Sequence, residues 1–171
     1  PFEVRMRSMS ILPLALFAFA LPCPRLAGAS VSDGTWSLCA PPASRSAHTV
    51  IVDPARDRLV LFGGRSALAQ FLDDVWVQGL DGTPRWTRLG PSGTAPGARS
   101  GHAAILDPVR DRMILFGGYD GAGLGDVRAL TLGANPTWSQ IAPSGASPGT
   151  RRYHAMVYDP LRDRALVFGG L

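Results

Sequence analysis

A threefold internal repeat constrains the fold more than any other feature of the sequence. A histidine recurs at His48, His102 and His154, at intervals of 54 and 52 residues. Each histidine is followed by an Asp-Pro pair, an Arg-Asp-Arg triplet and an apolar run that ends in Phe-Gly-Gly. The Asp-Pro pairs begin at Asp53, Asp107 and Asp159, and the glycine pairs are Gly63-Gly64, Gly117-Gly118 and Gly169-Gly170. A period of about 50 residues predicts a repeat protein in which each unit is one supersecondary structure.

Each unit is predicted to contain four short strands. In the second unit these are His102 to Leu106, Arg112 to Phe116, Asp126 to Leu132 and Trp138 to Ile141. The glycine pair is expected to end the second strand, because glycine adopts backbone angles that other residues avoid. With 20 Gly, 15 Pro and 46% hydrophobic residues, the chain is too apolar for disorder and too often interrupted for a helical bundle. The predicted fold class is all-β.

The repeated residues resemble the kelch repeat. Its signature is a double glycine at the end of a strand and a separated aromatic residue near the end of the unit, here Trp86 and Trp138. The variant with His, Asp-Pro-x-Arg-Asp-Arg and Phe-Gly-Gly is similar to the kelch-type repeats of exported bacterial proteins. The resemblance covers residues 36–170 and implies a kelch-type β-propeller, related in fold to the propeller of galactose oxidase. Each unit is then a four-stranded blade around a central channel.

The chain is expected to hold about two and a half four-stranded blades within residues 30–171. The blades are residues 45–89, residues 99–141 and an incomplete third blade at residues 151–171. Residues 36–38 look like a lone fourth strand, and the resemblance implies that such a strand completes the last blade. Because propellers have four to eight blades, the expected partners are the remaining blades of a longer chain, or oligomer partners if the chain is complete.

Residues 1–29 are predicted to be a secretory signal peptide. Two arginines precede an apolar run of 11 residues from Ile11 to Leu21, and the small residues Ala27-Gly28-Ala29 follow it. The run is too short for a transmembrane helix, which needs about 20 residues. Cleavage is expected after Ala29, with a secreted, periplasmic or cell-surface location; a buried N-terminal helix or strand is the alternative. Starts at Met6 or Met9 would leave residues 1–5 or 1–8 untranslated.

Residues that recur in every unit are better explained by blade construction than by a unique site. The turn aspartates should accept hydrogen bonds from turn amides, arginines of the triplet should pair with them, and the two tryptophans should fill the space between blades. The three histidines raise a metal hypothesis, but equivalent positions lie around a wide ring, so hydrogen bonds to neighbouring blades are preferred. Arg45, Arg99 and Arg151 either form an anion-attracting ring on one face or pack against the blades. No metal and no cofactor is predicted.

Ligand contacts are expected where the repeats differ. Arg152 and Tyr153 replace Ser-Ala and Ser-Gly pairs of the earlier units, and the loops after the double glycines also diverge. Loops on a rigid scaffold commonly carry binding residues. The candidates are Arg152, Tyr153, Tyr119, Asp120, Phe71 and Trp76, the last of which stands where the next unit has Arg128.

Charge and motif content limit the function classes. From Ser30 onward the chain has 14 Arg, 12 Asp and no Glu, and the alternating charges form no basic stripe that would indicate nucleic-acid binding. No catalytic residues are identified, including the Tyr, Cys and His set of copper oxidases that share the propeller. The predicted function is an exported, non-catalytic interaction scaffold for a protein or glycan. The alternative is the propeller portion of a secreted carbohydrate- or alcohol-oxidising enzyme whose catalytic residues lie outside this chain.

Overall fold

The computed structural model of the protein describes residues 42–82 and 85–171 with their side chains, and residues 26–29 and 36–39 by their backbone. Across these residues the chain forms strands and one 3-10 turn at Pro54–Arg56, and no α-helix. No described segment is a helix with the length and hydropathy needed to cross a membrane. The strands are β1 (Leu26–Ala29), β2 (Trp36–Cys39), β3 (Arg45–Ser46), β4 (Thr49–Asp53), β5 (Arg58–Ser66), β6 (Phe71–Gly79), β7 (Trp86–Leu89), β8 (Ser92–Gly93), β9 (Ala103–Asp107), β10 (Arg112–Tyr119), β11 (Gly123–Thr131), β12 (Thr137–Ile141), β13 (Ala155–Asp159) and β14 (Arg164–Phe168).

Two of the sheets are complete blades. Strands β4 to β7 pair antiparallel in chain order to form the first blade, and β9 to β12 form the second in the same way. Strand β3 extends the first blade beside β5, and β8 pairs parallel with β12. Strands β13 and β14 form a two-stranded sheet, here called the half-blade, and β1 and β2 form an antiparallel hairpin. The all-β class and the partial propeller are confirmed.

The double glycines create bulges inside the second strand of each complete blade. Gly63 and Gly64 have φ of 60° and 103°, and the register shifts between Phe62 and Gly64 before pairing resumes opposite Leu72. The prediction that the glycine pair ends the strand is therefore wrong for β5 and β10, because left-handed residues let the ladder continue around a bulge. Space is also limiting, since a Cβ at Gly117 would lie 2.6 Å from the carbonyl oxygen of Arg151.

The hydrophobic core lies between the first and second blades. Ile51, Val60 and Phe62 of the first blade pack with Met113, Leu115 and Leu130 of the second. Trp138 is 3% exposed and meets the ring of Phe62 edge-on, with centroids 5.2 Å apart. Trp86, the equivalent residue of the first blade, is half-buried. Full burial of side chains of this size stabilises the fold by about 1.5–3 kcal/mol each, so blade stacking supplies most of the cohesion.

A second set of contacts joins the Asp-Pro turns of successive blades. Arg56 binds Asp53 of its own turn at 3.1 Å and reaches both carboxylate oxygens of Asp111 in the next turn, at 2.8 and 2.5 Å. Arg110 binds Asp107 and, across the next contact, Asp163 at 2.9 and 2.6 Å. The receiving aspartates, with Asp57 of the first turn, have φ between 46° and 50°. The first two turns therefore each carry one arginine that reaches the left-handed aspartate of the next turn.

The remaining turn residues hold each turn together internally. Arg58 and Arg112 donate from Nε to Asp53 and Asp107, each at 2.8 Å, and Arg164 donates to Asp159 at 3.2 Å. Turn amides of Arg110 and Leu161 donate to Asp107 and Asp159 at 3.2 Å. The carboxylate of Asp53 is occupied by arginines and does not cap its 3-10 turn.

Arg45, Arg99 and Arg151 pack against the blades. Arg99 is 3% exposed; it binds both carboxylate oxygens of Asp126 at 2.6 and 3.1 Å and the carbonyl oxygen of Gly117 at 3.0 Å. Arg45 repeats this arrangement with Asp74 and the carbonyl of Gly63. Burial opposes ionisation of Asp126, but the hydrogen bonds from Arg99 and Arg128 outweigh it and lower its pKa.

His102 and His154 lie at the contacts between blades, whereas His48 is exposed. His102 hydrogen-bonds through Nε2 to Oγ1 of Thr49 at 2.9 Å and meets Phe62 edge-on, with ring centroids 5.2 Å apart. His154 meets Phe116 in the same way at 5.2 Å. Within the described residues, no group of three or more His, Cys, Asp or Glu side chains could hold a metal ion. Burial lowers the pKa of His102 to about 3, and the positive charge of Arg99 acts in the same direction.

We expect acid to destabilise the stacked blades through His102. Its pKa is about 3 when folded and about 6.5 when unfolded, so between these values the unfolded chain takes up the proton. Stability is complete above pH 6.5 and falls by about 2 kcal/mol at pH 5, where carboxylates remain ionised. Urea unfolding at pH 8 and pH 5 measures the difference. A His102→Gln variant should show a shallower pH dependence; an unchanged slope would contradict the assignment.

The buried ion pair between Arg99 and Asp126 leads to a second prediction. Asp126→Ala leaves Arg99 buried without its anion and should destabilise the chain by roughly 3 kcal/mol. Asp163→Ala removes the partner of Arg110 in an exposed pair and should cost much less. Thermal unfolding of both variants beside the parent chain gives the comparison. Equal losses would show that burial does not decide the strength of these pairs.

Candidate functional site

Four residues from three diverging loops come together on one face of the propeller. Phe71 at the start of β6 meets Tyr119 at the end of β10, with ring centroids 5.9 Å apart and planes at 72°. The guanidinium of Arg65 lies 5.6 Å from the Phe71 centroid, and that of Arg152 lies 4.3 Å from the Tyr119 centroid. Together with Tyr153, these residues are called the aromatic–arginine patch.

Arg152 occupies the centre of the patch. Its guanidinium lies between two aromatic rings, 4.3 Å from Tyr119 and 5.9 Å from Tyr153. Its backbone is held by paired hydrogen bonds with Leu171, at 3.0 and 2.9 Å. Among the residues that the structure describes with side chains, none accepts a hydrogen bond from this guanidinium. The planar cation is therefore positioned by stacking, and its N–H donors remain available to a ligand.

Tyr153 is an exposed aromatic residue in a strained conformation. It is 62% exposed and has φ of 57°, where a bulky side chain costs roughly 1–2 kcal/mol. Its amide donates to the carbonyl oxygen of Gly101 at 2.7 Å, and the amide of Gly101 donates to that of Ala47 at 2.8 Å. These left-handed residues thus link three successive blades. A Cβ at Gly101 would lie 3.0 Å from the Tyr153 ring, so the glycine leaves room for the tyrosine.

Asp120 and Trp76 have other surroundings. Asp120 closes its own loop, because its carboxylate accepts from the amide of Ala122 at 3.1 Å. Trp76 lies within β6 rather than in a loop, is half-buried, and donates from Nε1 to Asp74 at 2.5 Å. Arg128 donates to Asp126 in the second blade at 2.8 Å. Trp76 and Arg128 therefore both donate to the aspartate of their own blade, Asp74 in the first and Asp126 in the second.

Arg65 and Gly101 are not among the residues predicted from the sequence to contact a ligand. Arg65 follows the first double glycine, and only the bulge in β5 shows that its side chain reaches Phe71. The small size of Gly101 matters because the ring of Tyr153, which is 52 residues later in the chain, packs against it. The sequence signal available for Arg65 was a positive charge within a few residues of Phe71, in a loop where the repeats differ.

The comparisons with known proteins match the repeat pattern. Residues 29–171 match the KLHDC2/KLHL20/DRC7 Kelch-repeats domain. The chain is 34% identical over 127 residues to Acyl-CoA-binding domain-containing protein 4 of Arabidopsis thaliana, covering 72% of this chain and 18% of the relative. It is 30% identical over 146 residues to the host cell factor homolog hcf-1 of Caenorhabditis elegans, covering 75% of this chain and 18% of that protein.

A solved structure supports the same fold. The structure of YjhT aligns with a TM-score of 0.59 at 20% identity, covering 84% of this chain and 44% of YjhT. The chain therefore spans less than half of that structure and less than a fifth of the two curated relatives. From its repeated residues, its bulged blades and these matches, the chain belongs to the kelch-repeat family.

Proposed function

We propose that the aromatic–arginine patch is the ligand-contacting surface of an exported, non-catalytic scaffold whose ligand is a protein. Kelch-repeat domains serve in general as protein-interaction scaffolds. The observation that carries the proposal is the position of Arg152, stacked 4.3 Å from Tyr119 with its N–H donors free of protein acceptors. Tyrosine and arginine are the side chains that most often dominate protein interfaces.

The repeats themselves support this location. The positions of Arg152 and Tyr153 are filled by Ser46-Ala47 and Ser100-Gly101 in the other units, although all three units share the same backbone conformation there. Large side chains at this position are not needed to build a blade. The strain at Tyr153 is consistent with a role outside folding. A glycan could also stack on the exposed aromatic rings, and the binding experiment distinguishes the two ligand classes.

Replacing Arg152-Tyr153 by Ser-Ala should abolish most ligand binding. The double variant Arg152→Ser/Tyr153→Ala grafts the first unit's residues onto the third, and Ala47 shows that alanine accepts the conformation. Loss of two interface anchors should weaken affinity at least about tenfold. The 171-residue chain is applied to a peptide array and a glycan array, and affinities for the hits are then measured for both forms.

Arg88→Ser/Thr87→Ala is the matched control, since both residues are exposed on β7. Peptide hits lost only in the patch variant support the proposal. Hits confined to the glycan array would change the ligand class, and peptide hits equally tight in both variants would rule out the patch.

We propose that export uses a cleavage site that leaves the β1–β2 hairpin whole. Cleavage after Ala29 would remove β1, which pairs with β2 from Leu26 opposite Cys39 to Ala29 opposite Trp36. An earlier small-x-small sequence, Ala18-Phe19-Ala20, follows an apolar run of about seven residues, which is sufficient for a signal. We therefore favour cleavage after Ala20. Residues 1–25 lie outside the described residues.

Secretion from a bacterial host should yield a chain that begins at Leu21. Intact-mass measurement of the exported protein identifies the first residue directly. A chain that begins at Ser30 would place the site at Ala29 and leave β2 without β1. Retention of the full-length chain in the cytoplasm would contradict export itself.

A further inference from the structure

We propose that His154 is an acid-sensitive switch for the aromatic–arginine patch, because uptake of a proton by its ring releases residues 151–154 from the second blade. His154 directly follows Arg152 and Tyr153 in the chain, so its packing holds the segment that carries two of the patch residues. The switch regulates the surface that is proposed to contact the ligand, and it rests on that proposed function for its consequence.

The ring of His154 is buried without a hydrogen bond. The residue is 8% exposed, and neither Nδ1 nor Nε2 has a hydrogen-bond partner among the described residues. The ring meets Phe116 of the second blade edge-on, with centroids 5.2 Å apart. A Cβ at Gly117 would lie 3.2 Å from its Cε1 atom, so the fit is close. Because buried polar groups are nearly always hydrogen-bonded, this ring is unusual in being held by packing alone.

The equivalent ring in the second blade has the partner that His154 lacks. His102 binds Oγ1 of Thr49 through Nε2 at 2.9 Å, and Thr49 begins the first strand of the preceding blade. The same position in the second blade is Ala103, which has no hydroxyl group. Both partner positions lie in complete blades, so the difference comes from the sequence of the repeat itself. The histidine beside the patch is therefore the one whose contact lacks a hydrogen bond.

The groups around the ring oppose a positive charge on it. Burial lowers the pKa of His154, and the positive charge of Arg151, three residues earlier, acts in the same direction. In the second blade, His102 is a titratable group whose charge interacts with that of His154. Phe116 and Gly170, which pack against the residue from β10 and from the end of the half-blade, carry no charge. Among these described neighbours, a proton on the ring gains no anion and loses its hydration.

Release of residues 151–154 would take the patch apart. The amide of Tyr153 donates to the carbonyl oxygen of Gly101 in the second blade at 2.7 Å. The guanidinium of Arg152 lies 4.3 Å from the Tyr119 centroid only while that segment stays in place. Tyr153 has φ of 57°, and this strain reduces the free energy that holds the segment closed.

The direction of the pH effect follows from the lowered pKa. In the released segment His154 is exposed and titrates near 6.5, whereas its pKa is lower in the closed arrangement. The released form therefore binds the proton more readily, and closure is fully favoured above pH 6.5 and weakens as the pH falls below it. Between pH 7.5 and pH 5.5 the equilibrium shifts toward release by at most about tenfold. Ligand affinity falls by up to the same factor.

The stack of Arg152 on Tyr119 reports the switch without any ligand. In nuclear magnetic resonance spectra of the 171-residue chain, the ring current of Tyr119 shifts the Cδ hydrogens of Arg152. We expect these signals to move toward the position of an unstacked arginine between pH 7.5 and pH 5.5, and to return on neutralisation. A His154→Gln variant should keep the stacked position at both pH values, because glutamine does not titrate. His48→Gln is the matched control, since His48 is exposed on the first blade, and it should behave like the parent chain.

A second variant restores the missing hydrogen bond. Ala103→Thr gives the ring of His154 the hydroxyl partner that Thr49 gives to His102. The added bond stabilises the closed arrangement, so the Arg152 signals should stay in the stacked position at pH 5.5 and be unchanged at pH 7.5. This variant keeps the histidine and therefore tests the contact rather than the residue.

Binding connects the switch to the proposed function. The affinity of the tightest peptide from the array is measured at both pH values for the parent chain, His154→Gln and His48→Gln. We expect a loss of severalfold, and at most about tenfold, for the parent chain and His48→Gln. The loss should be clearly smaller for His154→Gln. The same peptide is used throughout, so titration of the peptide itself is common to all three chains.

The outcomes distinguish the switch from the patch. Arg152 signals that stay in the stacked position at pH 5.5, or that move equally in His154→Gln, would overturn the switch. Loss of the whole fold at pH 5.5, seen by circular dichroism, would also overturn it, because release would then not be local. Signals that move as expected while no peptide binds through the patch at either pH would leave the switch standing and contradict the proposed function instead.

Discussion

Coverage of each blade's apolar face by the next blade is the interaction on which the rest of the structure depends. A single four-stranded sheet cannot bury both faces, and Ile51, Val60 and Phe62 become core only because the second blade lies against them. The turn arginines lie along the same contact between blades but are partly exposed, so solvent weakens their ion pairs with the turn aspartates. Apolar burial supplies the cohesion, while the Arg56–Asp111 and Arg110–Asp163 pairs set how the blades align.

The stacking also explains how a few side chains can differ between units while the scaffold stays the same. Bulged strands and left-handed turns hold the loops that bear Phe71 and Tyr119 in fixed positions, and the amide links through Gly101 fix Tyr153 relative to two neighbouring blades. A side chain replaced at one of these positions changes the surface without changing the scaffold. Ser46, Ser100 and Arg152 occupy one repeat position, and only Arg152 brings a cation onto an aromatic ring.

Much of the fold could be predicted because the signals repeat in register. The intervals between histidines, Asp-Pro turns and glycine pairs locate both complete blades and the half-blade, and those positions agree with the strands. The bulges could not be predicted, because a double glycine also occurs where strands end, as after β14. The patch was only partly predictable. Its residues are distant in sequence, and Trp76 was singled out although its half-buried side chain serves Asp74. Strand β1 has the sequence Leu-Ala-Gly-Ala, which equally suits a signal cleavage site.

That ambiguity at Leu26–Ala29 has a physical consequence for the β1–β2 hairpin. The same small residues that a signal peptidase could accept must lie beside β2. A two-stranded hairpin is marginally stable alone, so β1 and β2 gain most of their stability when another strand or sheet covers them. Retention of β1 is therefore a requirement for that stability, because a chain cleaved after Ala29 keeps β2 without the strand it pairs with.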